Sequence, residues 1–243
     1  MRLTHRTDIL CYIYIAIFVR GKEVSLLDES KRQTLEKRIH RTMDALEKNH
    51  IRTYYMLTKE DAVKQVEALL QEGNVISCGS SVTLSESGTL ALVKNGHYRF
   101  IDRDSGEFTR EEADRRGHNA DVFLMSSNAI TENGELYNVD GNSNRVSALA
   151  HGPKKVIVVA GYNKIVSDLP AAIKRIKEIA APANGIRLGT NTPCAKIGHC
   201  CNCNGHMTSG CATTDRMCIN YLVTAYQRTE RIHVIIVGEE LGY

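Results

Sequence analysis

Five short apolar runs punctuate this chain: Asn74-VISCG, Asp121-VFLMS, Lys155-VIVVAG, Gly185-IRLG and Ile232-HVIIVG. Each is too short for a buried helix and too continuous for a strand with one wet face. Between them lie segments with helical spacing. From Asp28 to Asn49, Leu35, Ile39, Met43 and Leu46 recur every three or four residues among charged ones, which predicts an amphipathic helix. After a strand-like stretch at Arg52 to Met56, Thr58 offers an N-cap. Ala62, Val63, Val66, Leu69 and Leu70 then form the buried face of a second helix running to about Glu72, with Gly73 closing it. Further helices are expected near Asn142 to Ala150 and from Leu169 to Ala181, where Asp168 can cap and Pro170 suits a first turn. Strands buried on both faces, alternating with amphipathic helices, predict an α/β fold: a mostly parallel sheet with helices on both faces.

Length and charge narrow the function classes. A chain of 243 residues, 42% apolar, can bury one substantial core. Its formal net charge of +3 is spread among nearly equal numbers of acids and bases, with no basic stripe and interleaved aromatics, so nucleic acid is not an expected partner. The longest apolar run, Ile9 to Val19, falls short of the roughly 20 residues of a membrane span. Arg2 and Arg6 precede it as in a signal peptide, but no small-x-small cleavage site follows. Residues 1–27 are therefore expected to be an N-terminal extension, and 28–243 the folded domain.

Six of the eight cysteines fall between Cys194 and Cys218. Cys200 and Cys203 form a C-x2-C pair, whose thiolates can reach one metal at about 2.3 Å. Cys194 lies one C-x5-C step upstream, and Cys218 or Cys211 completes the set. His199 and His206 add nitrogen donors, so four thiolates, or three with an imidazole, are both open to zinc, and the thiols also suit an iron–sulfur centre. Free buried thiols would need apolar cover that the loop lacks. A disulfide scaffold would be shorter and spread its cysteines more widely, whereas a redox pair remains an alternative. This favours a cytoplasmic setting, with the Cys-rich loop (residues 191–219) as an insertion at the sheet rim.

Two other stretches carry polar groups past a buried strand. Gly79-Ser80-Ser81-Val82-Thr83 presents backbone amides and three hydroxyls, suited to phosphate or carboxylate and equally to an ordinary turn. It lacks the lysine of a Walker A loop. Asn128, Thr131, Asp140, Asn144 and Arg145 follow the Asp121 strand and could orient a small anionic ligand, with Arg145 binding its charge. Asn133-Gly134 predicts a type I′ hairpin turn. Glu239 and Glu240, past the last strand, read as solvated charges.

GSSVTL from Gly79, NAITENGELYNVDGNSNRV from Asn128, VIVVAGYNKIV from Val156 and NTPCAKIGHC from Asn191 together resemble the LUD domain family, the lactate-utilisation proteins. The resemblance covers about Asp28 to Tyr243 and points to a small cysteine-rich branch. It implies a fold similar to the ribose-5-phosphate isomerase and CoA-transferase group. It also implies a bacterial role in oxidising lactate to pyruvate beside iron–sulfur partner proteins. Either Cys203 or Cys211 would match the third thiol position of the family. Three functions follow as expectations. The first is a redox-associated accessory or subunit holding an iron–sulfur cluster on Cys194, Cys200, Cys203 or Cys211, and Cys218. The second is an acyl-CoA or sugar-phosphate transferase or isomerase using the Gly79 loop, with Glu132 as nucleophile because CoA transferases of similar fold use a glutamate in a Glu-Asn-Gly setting. The third is a zinc-stabilised binding module.

Overall fold

The computed structural model describes residues 29–243; the apolar run at Ile9 to Val19 and the expected extension lie outside them. Helix α1 (Glu29–Lys48) buries Ile39, Thr42 and Leu46, with Leu35 and Met43 packed beside them, the stripe that the spacing predicts. Strand β1 (Arg52–Met56) follows, then α2 (Lys59–Leu69), whose N-cap Thr58 accepts a bond from Asp61 N. The helix stops short of the expected Glu72 because Leu70 is already extended, and Gly73, at φ +76°, turns the chain into β2 (Val75–Cys78). Short helices α3 (Val82–Glu86) and α4 (Thr89–Asn95) lead to the edge strand β3 (Arg99–Phe100). Helix α5 (Arg110–His118) opens with a full capping box between Thr109 and Glu112, and β4 (Val122–Met125) is buried throughout.

The chain then leaves the main sheet for a hairpin, β5 (Ala129–Thr131) and β6 (Leu136–Asp140). Its turn is not the expected type I′. Only Gly134 has positive φ, +83°; Thr131 O accepts from Gly134 N, and Thr131 N donates to Glu135 O, the three-residue loop that ends in a left-handed glycine. A Cβ at Gly134 would also lie 2.5 Å from the Ala45 backbone, so the turn can sit against α1 only without a side chain. Helix α6 (Asn144–His151) returns the chain to β7 (Lys155–Gly161). A 3₁₀ turn at Tyr162–Lys164 and the two-residue β8 (Ile165–Val166) follow.

From Leu169 the chain is helical to Arg187: α7 (Leu169–Arg175), a π-helical turn at Ile176–Ala180, and α8 (Ala181–Arg187). The strand expected at Gly185-IRLG is therefore helix. Pro182 has no N–H to donate and its ring crowds the carbonyl one turn back; the wider π turn just before it relieves that crowding and lets the helix continue. Short α9 (Pro193–Ile197) precedes the Cys-rich loop, and β9 (Asn220–Thr224) and β10 (Ile232–Val237) end the fold.

The main sheet is wholly parallel, in the order β1-β10-β7-β4-β2-β3. Alternate residues of its central strands feed two cores. Val156, Val158, Val234 and Ile236 face α1 and α6, and Ile157, Val159, Ile235 and Val237 face α2. A second sheet, β8-β5-β6-β9, covers part of the first core. Its other face, through Ala129 and Tyr137, packs on Ala172, Ile176 and Ala180 of the long helix and on Met207 of the Cys-rich loop. No helix of the described residues is long and apolar enough to cross a membrane.

Candidate functional site

The loops after β2, β4 and β7 leave the carboxyl edge of the parallel sheet, where α/β folds bind ligands. Together with the β6–α6 loop they line a polar cleft of about 640 Å³. Ser80, Ser81, Thr83, Asn128, Asp140, Asn144 and Arg145 of the expected set line it; Thr131 does not. Thr131 is buried in the hairpin, donating to Glu135 Oε2 at 2.7 Å and accepting from Glu135 N. Gly79 stands behind the cleft: its N–H donates to Leu124 O, and a Cβ there would lie 3.0 Å from Arg145 Cδ. The Ser81 hydroxyl caps α3 through Leu84 N. Asp140 is also committed locally, its carboxylate accepting from Asn142 N, Arg145 N and Val146 N.

The charge at the base of the cleft is positive. Arg145 donates to Asn128 Oδ1 (2.9 Å), Asn138 Oδ1 (2.5 Å) and Val139 O (2.6 Å). Arg175, from α7, is buried and donates to Asn128 O (2.7 Å) and Asn163 O (3.1 Å). Lys164, only 3% exposed, donates to Thr83 Oγ1 (2.7 Å) and Ser126 Oγ (2.9 Å). Burial, helped by Arg175 and Arg145, pushes its amine down to about 7, and burial pushes both guanidinium groups below their ordinary range. All the hydrogen-bond acceptors of these three cations are neutral. At the mouth, by contrast, Arg103 pairs with Asp114 and Arg110 with Asp104.

Glu132 lies outside the cleft. It receives Arg38 Nε at 2.6 Å and Arg41 Nη2 at 3.0 Å, fastening α1 to the hairpin. Burial opposes its charge, but these two guanidinium groups hold the carboxyl below the usual carboxylate range. Glu239 and Glu240 are likewise spent at the strand end, accepting from Lys59 N and from the Tyr162 hydroxyl.

The thiols surround a second, smaller cavity. Cys194, Cys200, Cys201, Cys211 and Cys218 line it, with Tyr137, Ile173, Ile176 and Met207 as apolar walls. Cys203 is turned aside, its thiol donating to Cys200 O at 2.9 Å and lying 3.7 Å from His199 Nδ1. Burial pushes the Cys218 thiol up to about 11, and the neighbouring Cys194, Cys200 and Cys211 add to that rise. Among the described residues, no three His, Cys, Asp or Glu side chains form a group that could hold a metal ion.

Two cations organise this loop. Lys177, in the π turn, donates to Asn202 O (2.8 Å), Gly205 O (3.0 Å) and His206 O (2.7 Å). Arg216 donates to Cys218 O, Cys211 O, Thr208 O and the Tyr221 hydroxyl. Ile176, Ala181, Arg216, Met217 and Cys218 line both cavities, so the thiols and the cleft share one wall. Lys164, Arg175, Lys177, Arg216 and Cys201 were not singled out by sequence reasoning. For Lys164 a signal existed, because it follows the Lys155 strand at the edge where ligands bind. For the others there was none.

The protein-family model of the LUD domain matches residues 39–237. No curated protein matches the chain significantly. A solved DUF162 family protein from Deinococcus radiodurans is similar to it at 15% identity and a TM-score of 0.47, over 84% of this chain and 98% of that one.

Proposed function

The chain belongs to the LUD domain family, and from that premise we propose that it is a redox-associated accessory protein or subunit of organic-acid oxidation, lactate being the expected acid. Its Cys-rich loop would hold an iron–sulfur cluster next to an anion-binding cleft. The observation that carries this reading is that five thiols line one cavity whose wall is also a wall of the cationic cleft.

The donor type suits the group, although among the described residues the thiols as they stand are not gathered into a metal-holding set and would have to close in from the cavity wall. Thiolates are the ligands of such clusters, and Cys194, Cys200, Cys211 and Cys218 would supply four, with Cys201 in reserve. Arg216 holds three carbonyls of the loop and ties them to Tyr221 of β9, and Lys177 holds three more, so that the thiol-bearing backbone is fastened to the fold. Asn202 adds N–H donors aimed at the Cys200 and Cys201 sulfurs, and hydrogen bonds to sulfur tune a cluster's potential. When bound, the cluster would supply one-electron transfer, passing electrons toward iron–sulfur partner proteins in the cytoplasm. The residues of the cleft would bind and orient the acid by its carboxylate.

Iron and acid-labile sulfide analysis with a visible spectrum, on protein purified without oxygen, tests this directly. Iron with sulfide, and colour lost in Cys200→Ser, is expected. Stoichiometric zinc without colour would return the loop to a structural role. The transferase reading has no such support, since Glu132 is held by two arginines away from the cleft.

A further inference from the structure

Buried Lys164 and Arg175 and half-buried Arg145 meet around Ser126, Asn128 and Asn163, and the acceptors of their side chains are all neutral. Burying like charges together is costly unless a counter-charge arrives. The charged groups facing Lys164 are Arg145 from α6, Arg175 from α7 and Glu86 from α3. Glu86 is not a close partner: the Lys164 amine bonds to Thr83 and Ser126 and makes no ion pair with it, while the Glu86 carboxylate receives Gly242 N. An ammonium has three donors; two go to Thr83 and Ser126, and Lys164 itself lines the cleft. Asp140, the carboxylate that acts on Arg145, is taken up by three backbone N–H groups, so Lys164 itself has neither a paired negative charge nor an acceptor for its third donor.

We propose that this corner of the cleft is an oxyanion site that loads a proton together with its ligand, Lys164 being the group that takes the proton up from water as a small carboxylate or phosphate seats against it, Thr83 and Ser126. Nothing is oxidised: the neutral amine becomes ammonium and forms an ion pair with the bound oxyanion. Arg145 and Arg175 stay charged behind it and set the preference for an anion. The burial that lowers the Lys164 amine to about 7 makes the exchange fall in the physiological range. This inference rests on the reading of the cleft as an organic-acid site but not on the cluster.

Calorimetric titration of the full-length protein with lactate, pyruvate and inorganic phosphate, in buffers of different ionisation enthalpy, reads the proton directly. Uptake of about one proton per ligand at about pH 8 and almost none at about pH 6 is expected, with affinity falling about tenfold per pH unit above about 7. Which of the three anions binds best separates a carboxylate from a phosphate ligand. Lys164→Arg, which keeps the charge, should bind without proton uptake, and Lys164→Met should bind about 10- to 100-fold more weakly, with circular dichroism confirming that each is folded. Binding at pH 8 with no proton taken up, or unchanged binding by Lys164→Met, overturns the proposal while leaving the cleft as an anion site. Failure of all three anions to bind overturns both readings of the cleft, whatever the iron analysis gives.

Discussion

At Gly79 one hydrogen atom in place of a methyl group lets the Arg145 stem pass, since a Cβ would stand 3.0 Å from Cδ and 3.2 Å from Cγ. Gly79→Ala should cost about 1–3 kcal/mol through overpacking and also weaken anion binding, because Arg145 must shift from Asn128 and Val139. Denaturant unfolding and phosphate titration of the same variant check both. Glu132 gives the opposite expectation. Its pairs with Arg38 and Arg41 are partly exposed, so Glu132→Gln should cost only about 0.5–1 kcal/mol at neutral pH and leave anion binding intact. The folded-state carboxyl is depressed, so this stability is present above the unfolded value of about 4.3 and is lost as pH falls through the folded one. Unfolding curves of the two proteins should converge in acid. A large loss of ligand binding in Glu132→Gln would restore the carboxylate to the site.

The element that joins the two cavities is the helix from Leu169 to Arg187 with its π turn. Ile176, Ala180 and Ala181 wall the cleft, and Ile176, Lys177 and Ala181 wall the thiol cavity. Buried Lys177 is the anchor of residues 202–206. Lys177→Met should free that stretch, with a stability loss of about 2 kcal/mol or more for the abandoned carbonyls. Limited proteolysis should then cut within residues 198–210 while the sheet core stays protected; an unchanged digestion pattern would show that the loop does not depend on this lysine. Periodicity had located this helix only as far as Ala181. Its continuation was hidden by Pro182, Asn184, Gly185 and Gly189, residues that end most helices; contacts distant in sequence accompany it, Ala180 and Ala181 in the cluster with Ala129 and Tyr137 and Asn184 bonded to Tyr243 and Met217.

For the molecule as a whole, the last strand is the keystone: β10 lies between β1 and β7, with Tyr54 opposite Ile235 and Ile235 opposite Val159. These pairings join residues far apart in the chain, which makes folding slow and dependent on the C-terminal segment. A chain ending before Ile232 would strand β1 and expose one edge of β7. It should show no cooperative unfolding transition by circular dichroism, and a stable truncated monomer would contradict this topology. Ile157→Ala, in the second core, should by comparison cost about 2–5 kcal/mol yet preserve the fold.

Pattern alone was enough for the parallel α/β core, because a strand buried on both faces must be apolar along its whole length and a covering helix must be apolar every third or fourth residue. It was enough, too, for the thiol-rich loop and for most of the cleft's polar residues, which follow directly on those strands. It could not separate Cys211 from Cys203, since spacing says how far a thiol can reach and not which way it points; here Cys203 bonds to Cys200 O while Cys211 faces the cavity. Nor could it set Glu132 apart from the cleft, or bring Lys164, Arg145 and Arg175 together from three different elements. Those relations depend on strand order and on how the second sheet packs, which are properties of contacts distant in sequence and leave no local period to read.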